Sequence, residues 1–101
     1  MSMIFRYSPS KTWLKGNLHV HSTRSDGALS PDQVCALYAR AGYDFIALTD
    51  HRRAGDAGDG LDDSLLVLNG LELDGRDSKG AYHHIVIVGD TQTVEEAVGA
   101  Y

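Results

Sequence analysis

Two histidines one residue apart, His19 and His21, are the first side chains in this sequence whose types and spacing could do chemistry. Side chains alternate along a β-strand, so both imidazoles should project from one face, about 6.5–7 Å apart along the strand. Leu18 and Val20 should point the other way, into the core. Neutral imidazole is the commonest metal ligand in proteins. The pair is therefore a candidate metal site, although two histidines on a solvated strand face are the simpler interpretation of the motif taken alone.

Further histidines and carboxylates fall at or near the predicted ends of later strands. In parallel α/β folds, ligands bind at the carboxyl ends of the strands. Glu72 lies in an otherwise apolar strand, where a buried carboxylate without a partner would cost several kcal/mol. A bridging position between two cations would explain it, and a solvated strand face is the alternative. The candidate ligands form a nitrogen and oxygen set that suits Mn²⁺, Fe²⁺ or Zn²⁺: His19, His21, Asp26, His51, Glu72 and His84.

The hydrophobic pattern predicts the elements that must position these side chains. Strands are expected at about residues 14–21, 43–49, 65–73 and 82–89. A helix should begin after Ser30, with Pro31 in its first turn and Gln33 closing a capping box, and it should end at Gly42. Its spacing predicts one buried stripe of four residues: Val34, Leu37, Tyr38 and Ala41.

The order of these elements predicts how the strands pair. Strand, helix and strand in succession form a βαβ unit, so the first two strands should be parallel. Gly70 marks a place where something approaches the third strand closely. His84 would lie away from the other ligands on a parallel fourth strand, whereas an antiparallel one brings it to the same rim. A short second helix is expected over residues 93–100, where Thr93 would form a capping box with Glu96.

Composition limits the classes of function. The chain has 101 residues, 43% of them hydrophobic and 23% charged, which predicts one folded globular domain. A net charge of −5 argues against non-specific binding to nucleic acid. Because no apolar run approaches the ~20 residues of a membrane span and no signal-peptide pattern is present, a cytoplasmic location is expected. The single cysteine, Cys35, is expected to be a small buried hydrophobic residue.

Taken together, the motifs resemble the PHP (polymerase and histidinol phosphatase) domain family. Residues 17–22 with 25–27 resemble its first motif, and residues 46–51, which end in Thr-Asp-His, resemble its second. Residues 70–73 resemble its Gly-x-Glu strand, and residues 84–89 its later histidine-containing strand. Three further segments are similar to a branch of metallohydrolases that includes carbaryl hydrolase: residues 13–19, 42–45 and 73–75.

The resemblance implies a fold and a set of metal sites. The fold would be the N-terminal part, about half, of a distorted seven-stranded (β/α) barrel with mainly parallel strands. Residues 1–101 would be a single PHP-like domain truncated at its C-terminus. Two or three divalent ions would lie at the carboxyl-terminal rim. His19, His21 and Glu72 would share one ion, Glu72 and His84 a second, and Asp26 and His51 a third.

The activity that the resemblance implies is hydrolysis of a phosphate ester by a metal-activated hydroxide. Asp50 and Arg52 are the candidate catalytic residues. Arg52 and Arg53 could contact an anionic substrate, and ordinary loop charges are the alternative interpretation. The expected partner is a small phosphorylated or ester substrate, with nucleic acid only as a substrate and no membrane.

Later motifs of the family, a His-Pro strand and an Asp-x-His pair, do not occur in this sequence. Self-association, or another chain that completes the barrel, is therefore expected. A non-catalytic metal-binding or interaction module derived from a PHP domain is the alternative function, and an α/β fragment that binds metal only adventitiously is the third interpretation.

Overall fold

A computed structural model describes residues 13–54 and 64–98. These residues form a mixed α/β fold whose four strands make one sheet in the order β1-β2-β3-β4. The elements are β1 (Gly16–Val20), α1 (Pro31–Arg40), β2 (Phe45–Leu48), β3 (Leu66–Arg76), β4 (Tyr82–Val88) and α2 (Thr91–Val98). The β1–β2 and β2–β3 pairs are parallel, as predicted for the first βαβ unit, and β3–β4 is antiparallel. The arrangement is consistent with part of a barrel, and closure with seven strands stays a prediction.

The first helix has the ends that its sequence predicts. The Ser30 side chain accepts a hydrogen bond from the Gln33 backbone N–H, and the Gln33 side chain accepts one from the Ser30 backbone N–H. This reciprocal pair satisfies two of the N–H groups that every helix start leaves without an intrahelical partner. Gly42 follows the helix with φ of 82°, a left-handed conformation that glycine adopts without steric cost.

The core lies between α1 and the adjoining face of the sheet. Its buried members are Val20, Val34, Cys35, Ile46, Leu48, Leu65 and Val67. The predicted stripe is only half correct, because Leu37 is 47% exposed and Ala41 is exposed as well. The helix packs through Val34 and Cys35, with Tyr38 and Ala39 partly buried, so its contact face is rotated towards the cysteine side.

The first strand contains an irregularity that its sequence does not reveal. Three residue steps of β1, from Asn17 to Val20, lie opposite two steps of β2, which is the signature of a β-bulge. Val20 joins the core as expected, but Leu18 is 50% exposed, so the prediction that both face the core is wrong for Leu18. The extra residue breaks the simple alternation of side chains along the strand.

The third strand is longer than predicted because it forms a hairpin with β4. Pairing continues to Arg76 opposite Tyr82, three residues beyond the predicted end of the strand. Gly70 confirms the expected close approach: a Cβ atom there would lie 2.6 Å from the backbone oxygen of Leu48. The antiparallel direction places His84 opposite Asp74, the arrangement that brings His84 to the rim shared by the other histidines.

The second helix begins two residues earlier than predicted. The Asp90 carboxylate accepts hydrogen bonds from the Thr93 hydroxyl at 3.0 Å and from the Thr93 backbone N–H at 3.5 Å. Asp90 therefore caps the helix, and the predicted capping box of Thr93 with Glu96 is wrong. The predicted end at residue 100 lies outside the described residues. Within residues 13–54 and 64–98, no helix is long and apolar enough to span a membrane.

We predict that the isolated chain self-associates. Within the described residues β1 and β4 each have a neighbouring strand on one side only. Large apolar side chains remain exposed on β3 and β4, among them Leu66, Ile85 and Val88. Open strand edges and contiguous apolar surface favour association. Sedimentation velocity over a range of protein concentrations should show a rising average mass, whereas a monomer at all concentrations with a cooperative melt would contradict this prediction.

Candidate metal centre

Glu72 is the centre of a cluster of histidines. Its residue surface is 2% exposed, so the solvated-face interpretation of this carboxylate is wrong. Four ring nitrogens surround the two carboxylate oxygens at 2.8–3.5 Å. They are His21 Nε2 at 2.8 Å, His84 Nδ1 at 3.0 Å, His51 Nε2 at 3.4 Å and His19 Nε2 at 3.5 Å.

The geometry around Glu72 could hold a shared cation. Glu72 Oε2 is buried and accepts no hydrogen bond from the described residues, although His21 Nε2 lies 2.8 Å away. The Nε2 atoms of His19 and His21 face each other at 3.1 Å. Two ligand atoms on one ion, each about 2.1 Å from it, lie about 3.0–3.4 Å apart at the usual coordination angles. The spacing of these nitrogen and oxygen atoms suits that arrangement.

The candidate ligands form three groups, and within each group the ligand atoms lie within 4.8 Å of one another. His19, His21 and Glu72 form the first group, the same three residues that the family resemblance implies. The second joins His21 to Asp26 and His51, and the third joins His51 to Glu72 and His84. All six candidate ligands thus belong to at least one group. His21, His51 and Glu72 each belong to two, so neighbouring ions would share ligands.

Asp26 is the most exposed of the candidate ligands, with 65% of its side-chain surface accessible. Its two oxygens lie 2.5 Å from His21 Nδ1 and 3.2 Å from His51 Nε2. The hydrogen bond from His21 lowers the pKa of the Asp26 carboxyl, and positive charge on His21 and His51 lowers it further. Asp26 is therefore an anion at neutral pH, the form in which a carboxylate binds a cation.

Two residues at the end of β2 hold the end of β1 in place. Thr49 donates its backbone N–H to the Val20 carbonyl, and its hydroxyl accepts the Val20 N–H. Asp50 accepts hydrogen bonds from the Ser22 backbone N–H, the Ser22 hydroxyl and the Ser25 hydroxyl at 2.6–2.7 Å. These contacts bracket His21 between two fixed residues.

Asp50 holds the loop after β1 from a buried position. The side chain is fully buried, and both carboxylate oxygens accept hydrogen bonds from the β1–α1 loop. Asp50 therefore positions the loop beneath the cluster, and its catalytic role stays a prediction. Its position next to His51 in the sequence suggested chemistry, but β-strand alternation points the two side chains in opposite directions.

Gly27 brings the loop that carries Asp26 against the first strand. A Cβ atom at Gly27 would lie 2.7 Å from the carbonyl carbon and oxygen of His21, which is too close for any other residue. The Gly27 backbone N–H donates to the Ser22 carbonyl at 2.9 Å. The Asp-Gly pair therefore does more than form a turn. Because Gly27 has no Cβ atom, the loop can lie close to His21 and bring the Asp26 carboxylate to the His21 ring.

A second set of contacts links Arg52 to the third strand, beside the cluster. Arg52 donates from Nη2 to the Asp74 carbonyl at 2.8 Å, and its Nε lies 3.5 Å from an Asp74 carboxylate oxygen. The same oxygen lies 3.7 Å from His51 Nδ1. Tyr82 donates its hydroxyl to the other oxygen at 2.6 Å, and this bond raises the pKa of the phenol. Arg52, a candidate catalytic residue, thus contacts a carboxylate next to a candidate ligand.

Sequence reasoning missed Asp74 and Tyr82. The alternation that placed Glu72 on the ligand face also places Asp74 there, two residues later, and its partner His84 shares that face. His83 has the opposite orientation and pairs with Asp77 at 2.9 Å. The hydrogen bond from His83 lowers the pKa of the Asp77 carboxyl.

A cavity of about 520 Å³ opens beside the cluster. It is lined by three of the candidate ligands together with cationic and polar side chains: Arg24, Ser25, Asp26, His51, Arg53, Asp74, Tyr82 and His84. A small substrate in this cavity would meet both candidate ligands and arginine side chains.

Comparison with known proteins gives limited support to the family resemblance. No protein-family model matches the sequence. A DNA polymerase/3'-5' exonuclease PolX from Bacillus subtilis (strain 168) is 38% identical over 61 residues, which are 60% of this chain and 11% of that protein. The chain thus spans about a tenth of this relative. The similarity loosely supports the PHP resemblance and does not support the carbaryl-hydrolase branch.

We predict that Asp50→Asn lowers the free energy of unfolding by about 3 kcal/mol, because an amide cannot accept all the buried hydrogen bonds that the carboxylate accepts. Urea denaturation followed by circular dichroism measures this loss. Asp77→Asn is the matched control on the exposed β3–β4 turn and should cost much less. An Asp50→Asn protein as stable as the wild type would contradict the positioning role.

Proposed function

We propose that this chain carries the metal centre of a phosphoester hydrolase of the PHP type. The observation that carries the proposal is the buried Glu72 carboxylate, which has four histidine nitrogens around it and an oxygen that accepts no hydrogen bond from the described residues. A buried carboxylate in this setting needs compensating positive charge, and divalent cations supply it most directly. The proposed fold is part of the seven-stranded barrel that the resemblance implies.

The donor set indicates the class of ion and its ligands. Histidine nitrogens and carboxylate oxygens without thiolate suit Mn²⁺, Zn²⁺ or Fe²⁺. The proposed ligands are the three overlapping groups described above, and we propose that they hold two or three ions. When bound, such ions supply a water of lowered pKa as nucleophile and positive charge opposite the phosphoryl oxygens.

The residues of this chain would support that chemistry in distinct ways. Glu72 would hold cations through its carboxylate, and its negative charge would reduce the repulsion between them. Asp74 lies near His51 Nδ1, where it would favour the tautomer that leaves Nε2 free to bind a cation. Tyr82 keeps its proton, because the hydrogen bond to Asp74 raises the pKa of the phenol, and so remains a donor at the cavity wall.

The choice of a phosphate ester rests on charge and on the similarity to PolX. That relative is named as a 3'-5' exonuclease, an activity that cleaves phosphodiester bonds. Arg24 and Arg53 line the same cavity as the candidate ligands, and arginine binds phosphate oxygens in a bidentate fashion. The net charge of −5 disfavours a long nucleic-acid footprint, so the proposed substrate is a small ester.

We predict that Glu72→Gln lowers the metal content and reduces phosphoesterase activity by more than about 100-fold, because it removes a ligand charge at the centre of the cluster. Hydrolysis of p-nitrophenyl phosphate and bis(p-nitrophenyl) phosphate with added Mn²⁺ measures the rate. Circular dichroism should change little. His19→Asn, at an exposed ligand, tests the same site where misfolding is less of a risk.

His83→Asn is the matched control, one residue from His84 but on the opposite face of β4. It should keep both metal and activity. Equal losses in Glu72→Gln and His83→Asn would contradict the cluster. A wild-type protein that binds metal without any turnover would contradict the hydrolase and favour a non-catalytic metal-binding module.

A further inference from the structure

The two ring nitrogens of His51 face carboxylates on different sides of the ring. Nε2 lies 3.2 Å from an Asp26 oxygen and 3.4 Å from a Glu72 oxygen, towards the cluster. Nδ1 is buried, makes no hydrogen bond with the described residues and lies 3.7 Å from Asp74 Oδ1. A neutral imidazole carries one proton and donates it from one nitrogen only. His51 can therefore bind a cation through Nε2 only when its proton is on Nδ1.

Asp74 is the carboxylate on the Nδ1 side, and contacts with Tyr82 and Arg52 hold it there. The Tyr82 hydroxyl donates to Asp74 Oδ2 at 2.6 Å. Arg52 donates from Nη2 to the Asp74 carbonyl at 2.8 Å, and its Nε lies 3.5 Å from Oδ1. The Asp74 side chain is only 14% exposed. The carboxylate therefore has little freedom to turn away from His51.

The separation between His51 Nδ1 and Asp74 Oδ1 is slightly longer than a hydrogen bond. N–H···O hydrogen bonds in proteins span about 2.7–3.2 Å between the heavy atoms. Once Nδ1 carries the proton, a shift of about 0.5–1 Å brings the two atoms into this range. Asp74 thus offers His51 an acceptor that stabilises the proton position required for a cation at Nε2.

The three ligand groups differ in their dependence on this contact. Two of them contain His51, whereas the group formed by His19, His21 and Glu72 does not. The Tyr82 ring packs against the His84 ring, with centroids 4.7 Å apart, but its hydroxyl is directed to Asp74. The effect of that hydroxyl on the cluster therefore passes through Asp74 to His51.

We propose that Asp74 and Tyr82 are positioning residues that act through His51 and set the cation affinity of the two sites that contain it. The site formed by His19, His21 and Glu72 does not depend on them, so cations bind this cluster in two classes. The proposal rests on the proposed function, since it takes the cluster as a metal centre. Outer-shell partners of a metal-binding histidine typically change the metal affinity about 10–100-fold.

Titration of Zn²⁺ against a chelating indicator measures both classes without reliance on turnover. Asp74→Ala should lower the affinity of the class that depends on His51 by about 10–100-fold and leave the other class unchanged. Tyr82→Phe keeps the ring that packs against His84 and removes only the hydroxyl, so it should lower the same affinity by about fivefold.

Asp77→Ala is the matched control, because Asp77 also contacts a histidine, His83, which lies on the opposite face of β4 from His84. It should change neither class. Circular dichroism checks that every variant is folded. An Asp74→Ala protein with wild-type affinity in both classes, or with equal losses in both, would overturn the proposal.

A double-mutant cycle tests whether the effect passes through His51. In a His51→Gln protein, Asp74→Ala should cause no further loss of Zn²⁺ affinity, because the residue through which it acts has already been removed. A further loss as large as the one in the wild-type background would place the effect of Asp74 elsewhere and overturn the proposal.

The metal-free protein separates this proposal from the proposed function. Long-range ¹H–¹⁵N correlation spectra at alkaline pH, where the ring is neutral, report which nitrogen of His51 carries the proton. Asp74→Ala should reduce the fraction with the proton on Nδ1. A protein that takes up no metal yet shows this change would overturn the metal centre and support the positioning role. A protein that takes up Zn²⁺ equally well with and without the Asp74 carboxylate would support the metal centre and overturn the positioning role.

Discussion

The burial of one carboxylate, Glu72, constrains most of this structure. An ionised carboxylate that leaves water needs either positive charge or several hydrogen-bond donors around it. Here the surroundings are four imidazoles from β1, from the end of β2 and from β4, and one carboxylate oxygen accepts no hydrogen bond from the described residues. Residues from three parts of the chain must therefore meet around β3, and the sheet topology brings them there.

Neighbouring residues divide the work of building this centre. In the Thr-Asp-His motif, Thr49 and Asp50 bind the end of β1 and the loop after it, and His51 presents its ring to the cluster. The buried pair sets the geometry, and the exposed ring contributes the chemistry. The same division applies to the Asp-Gly pair, where the absence of a side chain at Gly27 allows Asp26 to reach two histidines. Loops of this kind give precise positions only when buried polar contacts hold them.

The parts of the fold that local sequence determines could be predicted. The capping box of α1, its glycine terminus and the parallel βαβ unit follow from residues within a few positions of one another. The close approach at Gly70 was also predictable, because a glycine inside a strand seldom has another reason. The bulge in β1, the rotated face of α1 and the start of α2 depend on which neighbours pack there, and single-sequence patterns do not contain that information.

The candidate site divides in the same way. Residue types and strand ends were enough to select six side chains that the structure brings together. They were not enough to show that Asp50 faces inward or that Asp74 contacts Tyr82 and Arg52, since both depend on hydrogen bonds between distant segments. Elemental analysis of protein purified without a histidine tag tests most directly whether these side chains hold metal. We expect at least one Mn, Fe or Zn ion per chain. A protein that carries none and takes up none from added Mn²⁺ or Zn²⁺ would contradict the metal centre.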